Sequence, residues 1–137
     1  MNRTEEIELL EQLEQWNSKD EYSQCIQAIE AIPEQERGYL LTVKLSRAYS
    51  NLAVLGDHGV HGTDGEVDGD LIRHAIDLLE SVRTQGENDP YWNSRMGYSC
   101  LMAYRSAATA YEYAKRWLAL APDDPAAQKL ARDCEEY

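Results

Sequence analysis

The residue types best equipped for chemistry cluster in one glycine-rich stretch, GDHGVHGTDGEVDGD, running from Gly56 to Asp70. Asp64, Glu66, Asp68 and Gly69 fall at the first, third, fifth and sixth positions of a calcium loop, and Leu71 falls at its apolar eighth. The twelfth position needs a bidentate glutamate and is Ala75, so the strongest oxygen ligand is missing. His58 and His61 stand three apart, with Asp57 and Asp64 beside them and His74 further on. Imidazole and carboxylate donors of this kind suit zinc or nickel. His58, His61, Asp64 and Asp68 are therefore the weak metal candidates. A glycine-rich loop organises ligands poorly, so a solvated acidic loop that ends in a helix cap is the expectation, with no metal and no cofactor.

Catalytic constellations are not legible. No serine, histidine and aspartate set, paired-carboxylate motif or phosphate-cradling glycine pattern sits at a strand-to-helix turn, because no strand is predicted. None of the carboxylates has an apolar surround that would tune it for proton transfer. Cys25, Cys100 and Cys134 each fall on an apolar helical face and read as small buried hydrophobes rather than nucleophiles. The chain is expected not to be an enzyme.

The bulk numbers exclude further classes. The 137 residues suffice for one domain with a real core. Net charge is −12 and uneven: residues 1–38 carry an excess of seven acids, 39–89 an excess of five, and 90–137 are balanced. Such a surface disfavours nucleic acid and anionic membranes, both of which need clustered lysine and arginine. The N-terminus, MNRTEEIELLEQ, is acidic and amphipathic, unlike a secretory leader, and no apolar run is long enough to cross a bilayer. An odd, widely spaced set of cysteines fits a reducing compartment, so a cytoplasmic location is expected.

The elements that must position any site are helices. Tyr91 to Pro125 shows the pattern best: Trp92, Met96, Cys100 and Ala103 recur at helical steps, then Ala107, Ala110 or Tyr111, Ala114 and Trp117 or Leu118 do so again. Gly97 and a run of alanines interleave with the large residues, so the two helices can approach closely. Upstream, Asn2 with Glu5 predicts a capping box, and Ile7, Leu10, Leu13 and Trp16 form a stripe. Ser18 with Glu21 predicts a second box before Tyr22, Cys25, Ile26, Ile29 and Ile32. A third helix is predicted over about Glu36 to Leu55 and a fourth over about Asp70 to Thr84. Asp89-Pro90 and Asp124-Pro125 are cap-then-proline helix starts, and the last helix is polar on one face and apolar on the other. The expectation is an all-α single domain, 1–137, of about seven helices. It comprises hairpins over about 2–33, 36–85 (with loop 56–69 inserted) and 90–121, and a capping helix over about 124–136.

The hairpins share a grammar. Trp16 and Tyr49 hold one late position in first helices; Cys25-Ile26, Ala75-Ile76 and Ala110-Tyr111 hold one early position in second helices, and Ile29, Leu79 and Ala114 follow four later. With Trp92, Met96-Gly97 and Pro122, this resembles the tetratricopeptide repeat, in degenerate copies of about 34 residues. The resemblance implies a right-handed α-superhelix and a scaffold that binds a protein or peptide segment along its first helices. Here that groove would be lined by Lys44, Arg47, Asn51, Arg95, Tyr98 and Met102. The family's terminal-carboxylate clamp is absent, since its positions hold Val43 with Arg47 and Ser94 with Tyr98. Two other readings are a self-associating structural module, through Tyr91, Trp92, Tyr104 and Tyr137, and a metal-responsive loop.

Overall fold

The computed structural model describes residues 1–59, 67–104 and 106–135, and the protein is all-α over them. Its helices are α1 (Arg3–Ser18), α2 (Tyr22–Glu30), α3 (Gly38–Val54), α4 (Gly69–Glu80), α5 (Arg83–Gly86), α6 (Pro90–Tyr104), α7 (Ala107–Leu120) and α8 (Pro125–Glu135). Short 3-10 turns occupy Glu34–Glu36 and Asp57–Gly59.

Three of the four caps predicted at helix starts form. The Asn2 side chain accepts from Glu5 N–H at 2.8 Å, Asp89 from Tyr91 N–H at 3.0 Å, and Asp124 from Ala126 N–H at 2.9 Å. The second box, Ser18 with Glu21, does not form. Ser18 lies inside α1 and donates back to the Gln15 carbonyl, while Glu21 precedes α2 without capping it. The reason is how α1 ends. Asp20 takes a left-handed conformation (φ 57°), and Glu21 N–H donates to the Trp16 carbonyl, a Schellman closure that uses those residues up. The start of α2 is capped instead from 34 residues away: Asp57 accepts from Ser23 N–H at 3.0 Å and from the Ser23 hydroxyl.

A second difference lies downstream of α4. One helix was expected to about Thr84, but α4 stops at Glu80 and α5 makes a separate turn, giving eight α-helices among the described residues. The cause is Trp92, which is fully buried and donates its indole N–H to the Leu79 carbonyl at 2.9 Å. The backbone must bend to lay Gly86 on the indole, where an added Cβ would lie 2.3 Å from the ring.

Successive helices run antiparallel. Ser46 donates to the Ala75 carbonyl and Asp68 N–H to that of Ala53, so α4 descends as α3 ascends. The alternate helices α1, α3 and α6 lie side by side in one direction. Glu14 meets Lys44 and Arg47, Asn17 meets Asn51, Lys44 lies over the Tyr91 ring and Ser50 meets Arg95. Three apolar clusters follow the chain. The first joins Leu13, Cys25, Ile26 and Ile29 to Leu41, Leu45 and Ala48. The second joins Val43, Ile76 and Leu79 to Trp92, Met96 and Cys100. The third joins Ala110, Ala114 and Trp117 to Ala127, Leu130, Ala131 and Cys134. Burial of each Leu or Ile contributes about 1.5–3 kcal/mol. α3 feeds the first two of these clusters, through Leu41, Leu45 and Ala48 on one side and Val43 on the other. Four phenols donate to acids across or beside these helices: Tyr22 to Asp20, Tyr39 to Asp89, Tyr49 to Glu30 and Tyr111 to Glu135, at 2.6–2.7 Å.

Candidate functional site

The side-by-side arrangement of α3 and α6 leaves a cleft of about 270 Å³ between their later turns. Asn51, Arg95, Tyr98 and Met102 line it, four of the six residues the sequence proposed. Their spacing explains the grouping, since positions four apart on one helix share a face. Val54, Leu55 and, from α4, Ile72 supply an apolar wall, while Ser50 and Ser99 add hydroxyls. Both serines escaped notice in the sequence. Their signal was there only in part: Ser99 follows Arg95 by four on α6, whereas Ser50 is brought in by the Arg95 side chain from another helix.

Lys44 and Arg47 point elsewhere. Lys44 Nζ donates to Glu14 at 2.9 Å and Arg47 Nη1 lies 3.0 Å from the same carboxylate, with Arg47 only 9% exposed. Burial works against the Glu14 charge, but the Lys44 hydrogen bond and the Arg47 field outweigh it and hold its carboxyl below the ordinary value. Glu14 thus closes the early half of the predicted groove by bonding α1 to α3.

Arg95 is different. Its Nη2 donates to Ser50 Oγ at 2.5 Å and its guanidinium stands 6.0 Å from the Tyr98 ring. Its Nε is buried with no acceptor, as is the hydroxyl of Ser99, which is 1% exposed. Burial, with the Arg47 charge nearby, lowers the Arg95 pKa. Tyr98 packs edge-on against Trp117 at 5.8 Å, and burial pushes its phenol up. Met102 is exposed at the rim.

The loop chemistry resolves differently. Asp57 is the cap of α2, and hydrogen bonds from Ser23 outweigh burial to lower its pKa. Asp68 caps α4 by accepting from Asp70 and Leu71 N–H at 3.1 and 3.2 Å. His58 is exposed, and His74 packs edge-on against Tyr49 at 4.5 Å. Ala75, at the calcium loop's twelfth position, is fully buried. His61, Asp64 and Glu66 lie outside the described residues, among which no group of three or more potential ligands gathers. All three cysteines are buried, and burial raises each thiol, Cys100 to about 11.

Of the aromatic residues named for self-association, Trp92 is fully buried and cannot form a surface; it is the core of the second cluster. Tyr91 is partly covered, its hydroxyl buried. The side chains of Tyr104 and Tyr137 lie outside the described residues. A wider depression of about 560 Å³ between Arg83 and α7 holds an arginine already bonded to Glu80 and Tyr113. No helix among the described residues is long and apolar enough to cross a membrane. No protein-family model, no characterised protein and no solved structure matches this chain.

Proposed function

We propose that this protein is a non-catalytic interaction module of tetratricopeptide-like design that binds a peptide or helical segment in the α3–α6 cleft. The observation that carries this reading is the cleft itself, where an apolar wall, an amide and a guanidinium that meets no acid among the described residues converge on one concave surface. Sites of that composition are how proteins hold side chains of a partner. The repeat reading draws support from the bonds between α1 and α3, which join residues 30, 33 and 34 apart, around the family's period. It draws further support from the shared direction of α1, α3 and α6.

The test is selection of a random twelve-residue display library on the immobilised protein. Met102→Ala, which removes an exposed rim contact, should weaken the selected peptides about tenfold and leave the melting temperature unchanged. If no peptide is enriched over a blank surface, the interaction reading fails.

A further inference from the structure

Arg95 is the one cation among the described residues with a buried nitrogen and no acceptor for it. Six other cations have acids: Lys44 and Arg47 share Glu14, Arg73 meets Asp70, Arg83 meets Glu80, Lys115 meets Glu112 and Lys129 meets Asp133. Arg3, Lys19, Arg116 and Arg132 have none among the described residues but are exposed to water, and Arg37 donates its Nε to the Ile32 carbonyl. With 25 acidic residues against 13 basic ones, acids are not scarce. Yet no carboxylate among the described residues comes within ion-pair reach of Arg95, and its Nε is buried without an acceptor. The neighbouring Ser99 hydroxyl, one turn on, is equally without a partner. Desolvating a guanidinium is strongly unfavourable unless an anion completes it. Both residues line the cleft; the Arg95 Nε can only donate and so calls for an acceptor oxygen, and the Ser99 hydroxyl can donate to the same group.

Size narrows the occupant. At about 270 Å³ the cleft falls below the roughly 300–1,000 Å³ of small-molecule sites. It has room for one side chain and an acid rather than a whole cofactor. Building on the peptide-binding reading, we propose that the partner segment is anchored by a carboxylate beside a large apolar side chain. The carboxylate closes on Arg95 and Ser99, and the apolar group lies against Val54, Leu55, Ile72 and Met102. Arginine suits this role because its planar fork matches a carboxylate.

The same display selection tests it, run in two formats, one with internal peptides and one with free C-termini, to tell a side-chain carboxylate from a terminal one. Expected is an acid at one register, next to Leu, Met or Phe, or an apolar terminal residue with its free acid. Amidating that acid in the peptide and Arg95→Met in the protein should each weaken binding at least tenfold. Together they should cost little more than either alone, because both remove the same contact. Arg95→Lys, which keeps the charge but loses the fork, should show an intermediate loss and guards against a folding defect in the methionine variant. Binders without acid preference, or an acid preference that survives Arg95→Met, overturn the anchor while leaving the interaction module standing. No binders at all removes the module itself.

Discussion

A partly buried arginine whose Nε has no acceptor is a debit to folding, and that makes Arg95→Met informative without any ligand. Replacing a desolvated charge with a well-packed apolar chain is commonly neutral or stabilising. The variant should melt at or above the parent temperature, by up to a few degrees, in calorimetry. A clear fall would mean that the guanidinium is structural. Asp57 makes the opposite prediction. Asp57→Ala removes the cap of α2 and should cost about 1 kcal/mol in a urea titration. Because the folded carboxyl sits below its ordinary value, its stabilisation is present above pH ~4 and fades as pH falls through the folded value. The acid limb of Asp57→Asn should accordingly be shallower than the parent's. The Asn2, Asp89 and Asp124 caps were readable because each acts within three residues. Asp57 was not, since its partner Ser23 lies 34 residues back and only the tertiary fold brings them together. For the same reason Lys44 and Arg47 looked like free groove cations, with nothing local to point to Glu14.

Among the helices, two glycines separate close approach from mere proximity. Gly86 lies under a fully buried indole, with an added Cβ at 2.3 Å from ring atoms that have nowhere to go. Gly86→Ala should cost about 1–3 kcal/mol by overpacking. At Gly97 the Cβ would crowd the tip of Leu130, at 3.0 Å, and touch the Ala110 carbonyl and Tyr113 Cβ at ordinary distances of 3.7 and 3.8 Å, so a shift of a few tenths of an ångström relieves it. There the helix preference of alanine, about 1 kcal/mol, offsets the crowding, and Gly97→Ala should be near neutral in the same titration. Helix positions were legible because apolar spacing and caps both speak of them. The break between α4 and α5 was not. Leu79 and Val82 continue the apolar pattern through it, and only the docking of Trp92 from a later helix forces the bend.

At the scale of the molecule, twelve uncompensated negative charges push the surface against itself. Moderate salt should raise the melting temperature by screening that repulsion within about 8 Å at physiological strength. The all-α class was legible because apolar periodicity is a property of the chain as a whole; the depth of the cleft depends on side-chain packing and was not. The four phenol–acid bonds have a consequence of their own. Three of them stitch one helix to another element, so the acidic exterior is fastened by neutral protons in places where lysines are too few. Burial first, and the facing carboxylate second, push Tyr22 and Tyr49 to about 12, with Tyr39 raised likewise. Their contribution is intact below pH ~10 and disappears as the solution rises through about 12. Stripping those protons turns each fastening into two facing anions, so phenolate absorbance and loss of helicity should rise together in strong alkali, the seams failing as a set.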